Sequence, residues 1–418
     1  MDLKKQTIIH SLGNTVYLIG LWFLTVITTR VLGYSSTGVL TLAMSIGNVI
    51  ATIQVFGARG YQSSDISFKY SSKAYVFFRC ISVVFGCIIG FVACIMLNYS
   101  ISVQISVLLF ILLKSSESFS DAFFGNDQRA GHLEFAGFSM LFRGILLVVL
   151  FAIGVKLFND LNTSLLIAAL GGLALSLFID LPLHNRTVEK SGQVSGKGIL
   201  NLIKECFPLL ITLLIPSVIL AFPRIVLERF YGDEILGFYG NVSTPALLLT
   251  SVAPTVLLAL LPSYGNFIKE HNYKRIREFW IKTIVSVIAF VLLAALGVLC
   301  LGKAVLSYVY TNEIVPYVHY LYYILVAMMF YIITMCNNTV LVAPRKSWGL
   351  TLTTIIALVV CVVLSFIVVK PLGIMGAVLA LGIPYAVAAF IQIVWIIVIC
   401  NTEIKSNKQE IYTDKIEQ

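Results

Sequence analysis

Residues 30–38 read Arg-Val-Leu-Gly-Tyr-Ser-Ser-Thr-Gly, and residues 229–237 read Arg-Phe-Tyr-Gly-Asp-Glu-Ile-Leu-Gly. Both follow the pattern R-x-x-G-x-x-x-x-G, and each joins two apolar segments. After the second segment of each pair comes a basic stretch, 59–79 in one case and 264–282 in the other. A bilayer core about 30 Å thick takes about 20 apolar residues as helix, because every backbone polar group must be satisfied within the span. The motif alone carries little weight, since helix ends often carry Arg and Gly. Its equivalent position in each half is what argues for an internal repeat.

Outward from residues 30–38, apolar segments of spanning length run at 11–33, 37–58, 75–97, 101–124, 134–158, 162–183, 199–222, 235–262, 279–302, 315–341, 348–370 and 373–400. Hydrophobic residues make up 59% of the chain, charged residues 12%, and the mean hydropathy is +0.94, which excludes an ordinary soluble domain. The expected fold is an all-α integral membrane protein with about twelve transmembrane helices in two six-helix lobes. The lobes are 1–190 and 191–418, the second ending in a short tail at 401–418. Six is even, so both lobes insert the same way up and their pseudo-axis runs along the membrane normal. No small-residue cleavage site follows the first span, which reads as a retained helix.

Assigning alternate connections to one side places twenty-one Lys and Arg there and six on the other, with Lys114 and Arg143 inside spans. By the positive-inside rule both termini are cytoplasmic. Loops facing anionic lipid account for the net charge of +9 without nucleic acid. The eight cysteines form no CxxC and have no histidine partners at metal spacing. Cys80, Cys87 and Cys94 recur every seven residues, a spacing expected of small residues on one packed helix face.

Charge inside a span is costly and marks function by default. Lys114, Glu117 and Asp121, spaced by three and four, share one face of the fourth span, and Arg143 enters the fifth at a similar depth. The four are expected to form one polar network. A purely structural alternative pairs Lys114 with Glu117 and Arg143 with Asp121. The stretch Gly57-Ala-Arg-Gly-Tyr-Gln-Ser-Ser-Asp-Ile-Ser-Phe-Lys-Tyr70 ends the second span on polar groups. It is either a solvated loop or part of a polar vestibule containing Arg59 and Asp65, with Arg79 close by at the start of the third span.

Lys114-x-x-Glu117-x-x-x-Asp121-x-x-x-Gly125-x-x-Gln128, continuing to Ser139-x-x-x-Arg143-Gly144, resembles the signature of the polysaccharide-transport flippases. These are the Wzx-type branch of the multidrug/oligosaccharidyl-lipid/polysaccharide exporter superfamily. Gly13-Asn14, Arg30-Val-Leu-Gly33 and Phe56-Gly57-x-Arg59-x-Tyr61-Gln62-x-x-Asp65 agree with it. The resemblance covers residues 10–145, and beyond them rests on span count. His132 stands where it leads one to expect arginine, and Glu134 where it leads one to expect aspartate.

The resemblance implies translocation of an undecaprenyl-pyrophosphate-linked oligosaccharide between leaflets of a bacterial plasma membrane, with membrane lipids and other polysaccharide-assembly proteins as partners. A pyrophosphate needs cations, and arginine binds it through paired hydrogen bonds. The headgroup candidates are Arg30, Arg59, Arg79, Lys114, Arg143 and Arg224, and the candidate ion-coupling acids are Glu117 and Asp121. No G-x-x-x-x-G-K-[ST] loop occurs, so no nucleotide cofactor is expected. Six prolines in spans 7 and 8 (Pro208, Pro216, Pro223, Pro245, Pro254 and Pro262) mark that hairpin as a candidate gate or a set of static kinks. A drug or cation exporter would share the helices but favour acidic and aromatic cavity residues. A membrane glycosyltransferase or polymerase would need larger outer loops than this chain has.

Overall fold

The computed structural model describes residues 2–65, 68–187, 195–270, 272–342 and 348–416. The expected lobe boundary at 190/191 and the basic residues Lys190, Arg345 and Lys346 lie outside the described residues. Among those described, helix dominates and no strand occurs. The helices are α1 Leu3–Val55, α2 Ala58–Ser64, α3 Ser72–Leu97, α4 Ile101–Arg129, α5 Leu133–Phe158 and α6 Leu161–Leu175. A π-helical turn, Ser176–Asp180, continues α6 into α7, Leu181–Thr187. Then follow α8 Gly196–Lys269, α9 Tyr273–Val309, a 3-10 turn at Asn312–Tyr317, α10 Tyr320–Val342, α11 Trp348–Leu372 and α12 Ile374–Ile416.

Ten helices among the described residues are long and apolar enough to cross a membrane. At 1.5 Å per residue, the 53 residues of α1 and the 74 of α8 reach about 80 and 110 Å, enough for two crossings each. Both bend where the repeated motif places its first glycine. Gly33 has φ 87°, ψ 178°, and Gly232 has φ 80°, ψ 176°, a region essentially closed to residues with a Cβ. Each bent helix is therefore two spans, and the chain is an all-α, multi-pass membrane protein of about twelve spans. Gly232 alone departs from helical geometry inside α8, whose backbone continues through all six prolines, so glycine and not proline makes the sharp bend.

By internal contacts the chain divides into two compact units, Met1–Asn241 and Val242–Gln418. In the first unit α1 lies backbone to backbone against α5. A Cβ on Gly13 would stand 2.0 Å from the Gly137 carbonyl oxygen, and one on Gly144 would stand 2.8 Å from the Tyr17 Cα. Such close approach is how helices associate where lipid supplies no hydrophobic drive. At the far end of α1 the two motifs meet reciprocally. A Cβ on Gly38 would fall 1.7 Å from the Asp233 oxygen, and one on Gly237 would fall 2.2 Å from the Tyr34 oxygen. Tyr34 stacks on Phe238 at 3.9 Å, and Asn241 donates to Thr29 at 2.7 Å. Of the heptad cysteines, Cys94 is buried but Cys80 is exposed, so they do not share the expected packed face.

The second unit buries neutral polar groups. Trp280 Nε1 donates to Asn337 Oδ1 at 2.9 Å, and Gln392 Nε2 donates to Asn338 and Thr353, both at 3.0 Å. Around them pack Tyr264, Ile276, Val340, Leu341 and Ile396. The buried ion pairs among the described residues belong to the first unit.

Candidate functional site

The charged groups of the first unit are arranged around α4. Its serine-rich sequence lets neighbours approach closely. Lys114, Glu117 and Asp121 share a face, as their spacing predicts. They contact α1, α2 and α3 and do not reach Arg143.

Asp121 lies between two guanidinium groups, with Arg59 Nη1 to Oδ1 at 3.0 Å and Arg79 Nη2 to Oδ2 at 2.9 Å. Arg59 reaches α4 because the chain reverses after α1 through two consecutive left-handed residues, Phe56 (φ 53°) and Gly57 (φ 66°). Phe56 is held there edge-on to Phe78. Arg79 comes from the first turns of α3 and also donates to the Gln54 carbonyl at 3.0 Å. His10 Nε2 lies 3.0 Å from Arg59 Nη2. A guanidinium only donates, so His10 accepts as neutral imidazole. Two cations thus share one carboxylate, leaving a surplus positive charge. The Arg59 side chain is 23% exposed and that of Arg79 is 1% exposed, so Arg59 is the accessible member.

About 10 Å further along α4, Lys114 Nζ donates to Glu117 Oε2 at 2.5 Å and approaches the Tyr17 hydroxyl at 3.4 Å. Tyr17 donates to the same carboxylate oxygen. This pairing within one helix is the structural alternative foreseen for Lys114.

Arg143 departs from both expectations. Its acid is Asp180, 3.0 Å from Nη2, and the two side chains are 4% and 1% exposed. Nη1 donates to Ser116 and the Gly172 carbonyl at 3.0 and 3.4 Å, and Nη2 to Ser120 and Ser176 at 2.8 and 2.9 Å. The single network expected of Lys114, Glu117, Asp121 and Arg143 is therefore three clusters, and the Arg143–Asp121 pairing does not form. Sequence reasoning missed Asp180 although an acid ending an apolar span is itself a signal. Gly172, Ser176 and Asp180, four residues apart, all face Arg143.

Arg30 and Arg224 stand away from these clusters, toward the Gly33 and Gly232 bends. Arg30 is exposed. Arg224 is buried, its guanidinium 5.7 Å from the Tyr239 ring centre.

Residues 57–65 and 68–70 form an organised knot, not a solvated loop. Gln62 Nε2 donates to Asn126 Oδ1 at 2.6 Å and to the Ala122 carbonyl at 2.9 Å. Asp65 is buried and accepts from the Lys69 and Tyr70 amides at 2.9 and 3.1 Å and from the Tyr75 hydroxyl at 3.0 Å, with Arg129 at 3.4 Å. Burial pushes its carboxyl pKa up, but these donors outweigh burial and hold it below its ordinary value. Glu205 of α8 accepts from Lys69 at 2.6 Å, from Tyr70 at 3.1 Å and from Tyr61. His132 is nearly half exposed, 3.4 Å from the largely buried Glu134.

A family model described as "Polysaccharide biosynthesis protein" matches residues 3–267. A curated relative, the capsular polysaccharide biosynthesis protein CapF of Staphylococcus aureus, is 23% identical over 298 residues, covering 68% of this chain and 72% of its own. Among solved structures, the lipid II flippase MurJ in an inward closed conformation superposes with a TM-score of 0.72 at 14% identity, covering 93% of this chain and 87% of that one. An inward-facing multidrug resistance MATE family transporter of the MOP superfamily gives 0.67 at 17% identity, covering 96% of both chains. At such identities the structures speak for the fold alone, whereas the family match extends over more than half of the sequence and contains every charged cluster described above: the chain belongs to the polysaccharide biosynthesis protein family.

Proposed function

We propose that this protein is a flippase that carries an undecaprenyl-pyrophosphate-linked oligosaccharide from the cytoplasmic to the outer leaflet of a bacterial plasma membrane by alternating access, for O-antigen, capsule or exopolysaccharide synthesis. The observation that carries this reading is the surplus positive charge around Asp121, with Arg59 accessible and Arg79 locked. When an anionic headgroup takes Arg59, Asp121 keeps Arg79, so no buried carboxylate is stranded. Lys114 lies about 10 Å deeper, paired with Glu117. Arg30 and Arg224 lie toward the outer side in this orientation, available to the headgroup late in transport.

The reading includes cytoplasmic termini, lobes divided at 190/191 and transport without covalent catalysis. Glu117, hydrogen-bonded by Lys114 and Tyr17, is the better placed of the two candidate coupling acids, because Asp121 is held by two arginines. Arg143 contributes by holding α4, α5 and the π-helical turn together.

The test is surface polysaccharide display in a strain lacking its own flippase. Arg59→Ala inserts normally but loses display, and Arg59→Lys recovers part of it, keeping charge without the paired geometry. Normal display by Arg59→Ala at native expression overturns the headgroup role. Export of cationic dyes, unaffected by Arg59→Ala, would favour a drug exporter instead.

A further inference from the structure

The second unit holds a cavity of about 480 Å³ between the later part of α8, α9 and α10. It lies within the range of about 300–1,000 Å³ usual for small-molecule sites. Its walls are apolar: Leu257 and Leu260 from α8, Phe279, Val287 and Phe290 from α9, and Ile332 from α10. Lys282 is the charged residue in the lining, and the Thr283 and Ser286 hydroxyls lie on its side of the cavity. Those hydroxyls already donate to the Phe279 and Lys282 carbonyls, so they ask for no further acceptor. Lys282 is exposed and has no acidic partner within 4 Å among the described residues.

The shape narrows the ligand. Along α9 the lining runs from Phe279 to Phe290, about 16 Å at helical rise. That length suits an extended hydrocarbon chain lying along α9. The Lys282 ammonium, without an acidic partner among the described residues, stands near one end, three residues into the α9 stretch that lines the slot. An ammonium beside an apolar slot is complementary to an amphiphile with a compact anionic head, and lysine binds phosphate as a point charge.

We infer that this slot binds the hydrocarbon tail of a single-chain lipid phosphate, with the phosphate against Lys282. The identity of that lipid as a polyprenyl phosphate rests on the flippase reading. The slot gives the second unit a tail site of its own, separate from the arginine cluster around Asp121.

The test uses the full chain in phosphatidylethanolamine–phosphatidylglycerol vesicles and, as probe, undecaprenyl phosphate with a photoactivatable diazirine near the end of its tail. Label is expected on peptides containing 253–260, 279–290 and 332–336. Ser286→Trp, which fills the slot, and Lys282→Glu, which reverses an exposed charge without disturbing packing, each lower labelling there by about tenfold. The uncharged polyprenol labels as weakly as Lys282→Glu does with the phosphate, and excess phosphatidylglycerol does not compete. If Ser286→Trp fails to fold, Lys282→Glu still decides. Unchanged labelling of Lys282→Glu, equal competition by phosphatidylglycerol, or label spread evenly over lipid-facing helices overturns the inference. Arg59→Ala retains the label whether or not it displays polysaccharide, so failure of the slot and failure of the flippase reading are separate results.

Discussion

Asp180→Ala removes the one acid within reach of Arg143 among the described residues and leaves a guanidinium, 4% exposed, facing three serines and a carbonyl. Breaking a buried pair from one side costs about 3–5 kcal/mol, because the remaining charge is uncompensated. The first unit has 241 residues, a size at which 1 kcal/mol moves Tm by about 2–4 °C, so the melting temperature falls by at least about 6 °C. Arg143→Leu combined with Asp180→Leu removes both charges. The serines it leaves behind keep local acceptors: Ser116 donates to the Leu113 carbonyl, Ser120, which loses Asp180 at 2.6 Å, still has Ser176, and Ser176 donates to the Ser116 and Gly172 carbonyls. The double variant therefore melts within about 1 kcal/mol of wild type and displays polysaccharide. Thermal unfolding of the purified chain in detergent, followed by intrinsic fluorescence, reads the first quantity, and surface polysaccharide reads the second. A stable double variant without display would refute the reasoning, since it would assign Arg143 to the substrate and not to the helix packing.

Other perturbations test the remaining features. Gly38→Ala forces a Cβ against the Asp233 carbonyl, 1.7 Å away in the wild-type geometry, and lowers the melting temperature of the purified chain. Asp65 has a folded-state pKa below its unfolded value, so its contribution is present above about pH 4 and fades as pH falls through the folded pKa. At neutral pH Asp65→Asn opens the 57–75 segment to proteolysis more than wild type, and with pepsin below about pH 4 the difference shrinks. A difference independent of pH would argue against Asp65 as the hub of that knot. Reporter fusions within 264–278 and after Thr402 give cytoplasmic signals, and an external signal at either site reverses the orientation.

How much could be read beforehand depended on the range of the physics involved. The apolar spans follow from segment length and bilayer thickness, and both are local. The bends at Gly33 and Gly232 were legible as a repeat, because a backbone at φ near +80° tolerates little but glycine. The shared face of Lys114, Glu117 and Asp121 followed from helical periodicity. So did the Lys114–Glu117 pair, whose partners lie three residues apart.

Partner choice across helices was not legible. Asp121 takes Arg59 and Arg79, 62 and 42 residues away, and Arg143 takes Asp180. Nothing in the one-dimensional pattern ranks these over Arg143–Asp121, because depth in the membrane narrows the candidates while helix rotation selects among them. The reversal through Phe56 and Gly57, which turns an apparently solvated stretch into a knot around Asp65, was equally hidden. Sequence by itself determined the class of protein, its spans and the positions of its charges, since these depend on residues near one another in the chain. Which charges neutralise each other, and which cation remains accessible, was decided only when packing brought distant helices to within hydrogen-bonding distance.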